Sequence, residues 1–264
     1  MTVVLYSKNG KHDFSIIFTK TLTMKRHIPN FITLLNLFCG CIAVVFAVMN
    51  KLDLTAFFVF LGIFFDFLDG FAARLLKVKS DVGVQLDSLA DMVTSGVVPG
   101  IVMFQLLNMA QKDGWNLDLF GMHTEVGILP LFGFLITLAS AYRLAIFNID
   151  ENQVSSFVGL PTPANTLLIL SLPLILLYQN NDILNDIILN QWFLLGLTMV
   201  SVFLLNSKVH LFALKFNGTG FKENGVKYLF LIGSLVLLVT LRFLAIPVII
   251  ILYILTSLFV EKST

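Results

Sequence analysis

The chain has 264 residues, 57% of them hydrophobic and 12% charged, with a mean hydropathy of +0.91, which excludes an ordinary soluble domain and a disordered chain. A formal net charge of +1, with 17 Lys and Arg dispersed among short segments, leaves no basic face for nucleic acid. Lipid is therefore the expected solvent for most of the chain.

Residues 1–23 are mixed and polar, carry Lys8, Lys11 and Lys20, and contain no apolar core of signal-peptide length. Met24 precedes the basic stretch Lys25-Arg26-His27 and is a candidate alternative start, which would make residues 1–23 an N-terminal extension. Apolar runs long enough to cross about 30 Å of hydrocarbon then appear at Phe31 to Asn50, Leu54 to Leu76, Leu86 to Leu107 and Ile128 to Ile149. Shorter ones follow at Ala164 to Tyr178 and Gln191 to Asn206, and the run from Val226 to Val260, interrupted at Arg242, is too long for one crossing. The expected fold is an all-α, polytopic transmembrane helical bundle of eight spans. A six-span core occupies residues 24–206, a cytoplasmic loop residues 207–225, and a C-terminal two-span hairpin residues 226–264. Cys39 and Cys41, two apart in an apolar run, read as small packing residues rather than a disulfide or metal pair.

Loop charges orient the bundle, because cytoplasmic loops near membrane spans carry the excess of Lys and Arg. With the N-terminus inside, only Lys51, Lys112 and Arg242 of the 17 basic residues fall on the far side, together with six Asp or Glu. The expected location is the inner, cytoplasmic membrane, with both termini in the cytoplasm.

Four carboxylates, Asp66, Asp69, Asp87 and Asp91, fall inside spans two and three, where each ionised Asp costs about 2.5 to 3.5 kcal/mol on insertion scales. Asp66 and Asp69 are spaced i, i+3 and Asp87 and Asp91 i, i+4, so each pair shares one helix face. If the chain turns near Val78 to Ser80, an antiparallel hairpin sets each Asp of one helix opposite one of the other, roughly 14 to 18 Å from the tip. Four converging anions need hard divalent cations between them, and all-oxygen ligation favours Mg²⁺ or Mn²⁺ over zinc. The alternative, solvated acids paired with Arg74, Lys77 and Lys79, is opposed by the apolar Phe67, Leu68, Leu86, Leu89 and Ala90 between them. Gly70, Ala73 and Gly83 leave room near the backbone for a bulky ligand, and Arg74 is placed to pair with a phosphate or a carboxylate. Asp81, beside Ser80, reads as a helix cap or early-turn acid.

The segment DFLDGFAARLLKVKSDVGVQLDSLAD, residues 66–91, matches without a gap D-x2-D-G-x2-A-R-x8-G-x3-D-x3-D. This resembles the signature of the CDP-alcohol phosphatidyltransferases, with all eight fixed positions present. The resemblance implies that Asp66, Asp69, Asp87 and Asp91 bind two metal ions, that Asp91 is the base, and that Gly70, Ala73, Arg74 and Gly83 line the CDP pocket. PNFITLLNLFCG from Pro29, LDSLADMVTSGVVP from Leu86, RLAIFN from Arg143 and FVGLPTPAN from Phe157 look like the phosphatidylserine synthase branch. That branch commonly reads RLARFN, and this chain has Ile146 at the second Arg. The implied reaction joins L-serine to the phosphatidyl group of CDP-diacylglycerol and releases CMP, in a homodimer typical of such relatives.

Glycerol 3-phosphate and inositol phosphate are the alternative acceptors, but their dianionic phosphate would demand several basic residues. Arg143, the only basic residue between spans four and five, suits the carboxylate of serine instead. Thr33 and Asn36, one turn apart in span one, either reach the cytidine or phosphates or bond helix to helix. A cation transporter is the non-enzyme alternative; it would more often spread its acids over several broken helices. His27, His123 and His210 fall in expected loops and are assigned no chemistry, and Pro161 and Pro163 are expected to shape the start of span five.

Overall fold

The computed structural model describes residues 12–78, 80–112, 127–149, 157–179, 181–211 and 221–261. The elements are helices α1 (His12–Val48), α2 (Leu52–Leu76), α3 (Asp81–Asp91), α4 (Val98–Lys112), α5 (Leu135–Ile149), α6 (Thr162–Tyr178), α7 (Asp182–Ile188), α8 (Gln191–Asn206), α9 (Phe221–Leu241) and α10 (Ala245–Glu261). A π-helical segment, Met92–Val97, joins α3 to α4, and 3₁₀ turns at Leu129–Phe134 and Arg242–Leu244 precede α5 and α10. The protein is an all-α, multi-pass membrane protein. The stretches around Asp118 and His123 and the middle of the 207–225 loop lie outside the described residues.

By length and apolar composition five stretches can cross a membrane, 27–48, 52–76, 81–111, 129–149 and 227–258, or six if the pair α7 and α8, bent by 62°, makes one crossing. The eight-span expectation also counts α6, whose 17 residues reach about 26 Å, and divides the 227–258 stretch in two. That stretch does fold back: the rings of Phe230 and Tyr253 lie 5.9 Å apart, whereas 23 residues of straight helix would separate them by about 35 Å. The reversal falls at Arg242, whose φ is 52°, and Gln179, the residue that ends α6, secures it, donating to the Leu241 carbonyl at 2.8 Å and accepting from the Leu244 N–H at 3.0 Å. Two asparagine caps set the α7–α8 bend. Asn181 accepts from Ile183 and Leu184, and Asn190 from Trp192 and Phe193, so each starts a new helix within a few residues.

The α3–π–α4 run is the centre of the bundle: 72% of its most apolar part is buried, against 11% for that of the 227–258 stretch. Its interior face, including Val98, Val102, Leu106 and Met109, packs on Ala43 and Ala47 of α1 and on Ile169 of α6. Pro99 accounts for the widened π turn, because a proline ring clashes with the carbonyl four residues earlier and offers no N–H to it. Close approach of the backbones needs small residues here. A Cβ at Gly133 would lie 2.6 Å from the Phe104 nitrogen and 3.1 Å from the Gly100 carbonyl oxygen.

The FVGLPTPAN stretch has a structural task. Phe157 and Val158 pair antiparallel with Leu211 and His210, so His210 stands in this short ribbon. Gly159, at φ 73°, brings the chain against the end of α8, with the Leu160 N–H on the Leu204 carbonyl at 2.9 Å. Pro161 then caps α6 and Pro163 sits in its first turn, where a missing N–H costs nothing. Both cysteines are free, Cys39 buried and Cys41 exposed.

Candidate active site

The turn that aligns the acids is built by the chain between Ala73 and Gly83. Helix α2 ends with Lys77 in the left-handed region, its N–H on the Arg74 carbonyl at 3.2 Å and the Val78 N–H on the Ala73 carbonyl at 3.0 Å. This is the Schellman arrangement, here achieved without glycine. Ser80 then caps α3, accepting from the Gly83 N–H at 3.3 Å, and Asp81 is an exposed first-turn acid. Helices α2 and α3 do not close on each other. Both pack on α1, which borders the acids from a third side.

Across that gap, carboxylate oxygens of Asp66, Asp69 and Asp87 all lie within 4.8 Å of one another. Asp91 stands outside this trio, near enough to Asp66, Asp87 and Asp69 for their charges to act on one another. Helix α1 holds two of the four: the Thr33 hydroxyl donates to Asp69 Oδ2, and Asn36 Nδ2 donates to Asp91 Oδ1 at 3.2 Å. A cavity of about 160 Å³ opens beside the trio, lined by Thr33, Asp69, Gly70, Ala73, Gly83 and Asp87, among others. A Cβ at Gly70 would meet nothing within 4 Å, so the backbone there is open to a ligand.

The donor set suits a hard divalent cation. Three carboxylates converge with only oxygen on offer, and Asp87 Oδ1 is buried without a hydrogen-bond partner among the described residues. Such an orphaned anionic oxygen in a bilayer is costly unless a cation meets it.

A family model described as CDP-alcohol phosphatidyltransferase matches residues 26–206. The chain belongs to the CDP-alcohol phosphatidyltransferase family. Among curated proteins it is similar to the CDP-diacylglycerol–serine O-phosphatidyltransferase of Bacillus subtilis, 34% identical over 52% of this chain and 70% of that protein. The enzyme of the same name from Methanocaldococcus jannaschii is 30% identical over 66% of this chain and 71% of its own length. That from Helicobacter pylori J99 is 32% identical over 53% of this chain and 54% of its own.

Within this phosphatidyltransferase fold the residues singled out from the sequence fall in different places. Gly70, Ala73, Gly83 and Thr33 line the cavity. Gly83 is also close to α1, since a Cβ there would lie 2.9 Å from Asn30 Oδ1. Arg74 is exposed in the last turn of α2 and does not line the cavity. Asn36 is fully buried, and its Nδ2 bonds across from α1 to Asp91 of α3. Arg143 reaches in from α5, near enough to Asp91 for their charges to interact, and its Nε has no hydrogen-bond partner among the described residues.

The sequence reading missed Asn30, Thr94 and Asn148. Asn148 accepts from the Ser88 hydroxyl at 2.8 Å and donates to Gln85 Oε1 at 3.3 Å, tying α5 to the acid-bearing helix α3. It closes the RLAIFN stretch, so its proximity to Arg143 was the available signal. Thr94 lies in the π segment and donates to Asn36 Oδ1 at 2.9 Å; nothing in its spacing announces a π turn.

Proposed function

We propose that this protein transfers the phosphatidyl group of CDP-diacylglycerol to the hydroxyl of L-serine, giving phosphatidylserine and CMP. The observation that carries this reading is the trio Asp66, Asp69 and Asp87 beside a glycine-lined cavity, with Asp91 next to it and bonded to Asn36. The named activity of the curated relatives supports serine as the acceptor.

Asp66, Asp69 and Asp87 would hold the divalent cations, two ions of Mg²⁺ or Mn²⁺, with Asp91 at their edge. When bound, such ions neutralise charge on the pyrophosphate and on departing CMP. Gly70, Ala73 and Gly83 admit the nucleotide's phosphates close to the backbone. Arg143 receives the serine carboxylate through its free Nε–H. Asp91 takes the proton from the serine hydroxyl as its oxygen bonds to the lipid-bearing phosphorus and the bond from that phosphorus to the CMP oxygen breaks. The protein works as a homodimer in the cytoplasmic membrane with this site facing the cytoplasm, an orientation the loop charges support.

The test is CMP release from CDP-diacylglycerol by the purified protein in detergent, with serine, glycerol 3-phosphate, inositol phosphate or water as acceptor and with Mg²⁺ or Mn²⁺ titrated. Serine-dependent, metal-dependent release is expected. Release with glycerol 3-phosphate but not serine would replace the acceptor, and no release with any acceptor at saturating metal would end the enzymatic reading.

A further inference from the structure

Thr94 and Asn36 are fully buried, yet every polar atom of the two side chains has a defined partner. The Thr94 hydroxyl donates to Asn36 Oδ1 at 2.9 Å, with the Asn36 main-chain carbonyl 3.4 Å away. Asn36 Nδ2 in turn donates to Asp91 Oδ1 at 3.2 Å. An ionised carboxylate only accepts, so the amide must turn its nitrogen to Asp91 and its oxygen to Thr94. The chain of bonds therefore has one direction.

Three helices are shaped around it. A Cβ on Gly40 of α1 would overlap the Thr94 hydroxyl, and one on Gly62 of α2 would lie 2.8 Å from Thr94 Cγ2 and 2.9 Å from Asn36 Oδ1. Thr94 itself sits in the π segment that begins directly after Asp91. The two glycines thus leave room for Thr94 and Asn36, and the Asn36 amide alone carries the contact to one carboxylate oxygen of Asp91.

We infer that Thr94 is a positioning residue for Asp91: acting through Asn36, it fixes one carboxylate oxygen and leaves the other as the atom that takes the acceptor's proton. This rests on Asp91 being the base. Thr94 touches no substrate, so its removal should misplace the base without weakening either substrate or the metal. A displacement of the order of 1 Å can cost about 100-fold in rate.

The experiment compares Thr94→Val, Thr94→Ser, Asn36→Leu and the Thr94→Val, Asn36→Leu double variant in full-length protein in nanodiscs. Readouts are kcat, KM for CDP-diacylglycerol and for serine, Mn²⁺ affinity by calorimetry, and the thermal midpoint. Thr94→Val should lower kcat by about 10- to 100-fold with both KM values and Mn²⁺ affinity within about twofold, and Thr94→Ser should restore most of the rate. In the Asn36→Leu background Thr94→Val should add no further loss. A merely structural Thr94 would lower the thermal midpoint and leave kcat per folded molecule intact, and that result overturns the inference, as do additive losses in the double variant. If Thr94→Val does not accumulate as folded protein, the smaller Thr94→Ala, which adds no atoms beneath Gly40, must show the same loss confined to kcat. Asp91→Asn separates the two levels: if it retains turnover, the base assignment fails; if it is inactive while Thr94→Val keeps wild-type kcat, only the role of Thr94 fails.

Discussion

The Thr166 hydroxyl of α6 donates to the main-chain carbonyl of Ser95 at 2.9 Å. Pro99 stands four residues beyond Ser95 and has no N–H, so that carbonyl cannot receive the usual helical bond. A second hydroxyl, from Thr137 of α5, meets the next carbonyl, Gly96, at 3.0 Å. Neighbouring helices thus satisfy the backbone that the π turn disturbs, as lipid requires. Thr166 shares its proton with its own Thr162 carbonyl at 2.9 Å. Thr166→Val keeps the shape and removes the donor. It should destabilise the protein by about 1 to 3 kcal/mol, read as a lower thermal or denaturant midpoint in detergent, and an unchanged midpoint would show that water serves the Ser95 carbonyl equally well.

Two glycines make opposite predictions from the same substitution. At Gly70 an added methyl meets open space in the cavity, so Gly70→Ala should fold with a normal midpoint and weaken CDP-diacylglycerol binding, raising its KM several-fold. At Gly133 the methyl would press on the Phe104 nitrogen at 2.6 Å and on backbone atoms of Gly100 and Met103 at 3.1 Å, none of which can swing away. Gly133→Ala should destabilise by about 1 to 3 kcal/mol with substrate KM unchanged in whatever protein remains folded. Equal loss of stability in both variants would contradict the geometry.

How far the sequence could be read follows from the range of each interaction. The spans were legible because lipid demands continuous apolar runs, and Asp66, Asp69 and Asp87 because their spacing alone puts them on facing surfaces. The facing of α2 and α3 expected from that spacing brings Asp66, Asp69 and Asp87 together, but the spacing did not announce that α1 packs on both helices and adds Thr33 and Asn36 to the acids. Thr94 was illegible for a different reason: a π turn changes which residues share a face, and no i, i+4 count anticipates it. Arg74, which the motif implies at the ligand, is exposed in the last turn of α2, and its contact with a ligand is not something helix spacing alone decides. Asn148 acts across 60 residues on Ser88, a pairing that only tertiary structure can declare.

The carboxylates should separate by role. Asp66→Asn and Asp87→Asn each remove charge from a trio within 4.8 Å, and Mn²⁺ binding and turnover should fall together. Residual activity above a few per cent at saturating metal would argue against ligation. Asp91→Asn should keep most Mn²⁺ and CDP-diacylglycerol binding while kcat drops by about 100-fold or more, the range of a lost general base. Metal affinity reduced as far as in Asp66→Asn would make Asp91 chiefly a ligand.

Arg143 offers the sharpest test of the acceptor. Its Nε lacks a partner among the described residues, and its charge lies within reach of Asp91, so it can bind a second anion without leaving its helix. If that anion is the serine carboxylate, Arg143→Ala should raise the serine KM by about 10-fold or more and leave the KM for CDP-diacylglycerol nearly unchanged, because only one substrate loses a charge-assisted bond of about 1.5 to 3 kcal/mol. Arg143→Lys should recover part of the loss, since it keeps the charge but not the planar fork. A second outcome is that Arg143 serves only to neutralise Asp91. Removing it would then lower kcat and leave both KM values in place, a pattern the lysine variant would largely reverse. Titrating each substrate against wild type and both variants distinguishes the two. A selective rise in the KM for CDP-diacylglycerol would instead move Arg143 to the phosphates, and the serine carboxylate would need another cation, which the described part of the site does not offer because Arg74 is exposed and does not line the cavity.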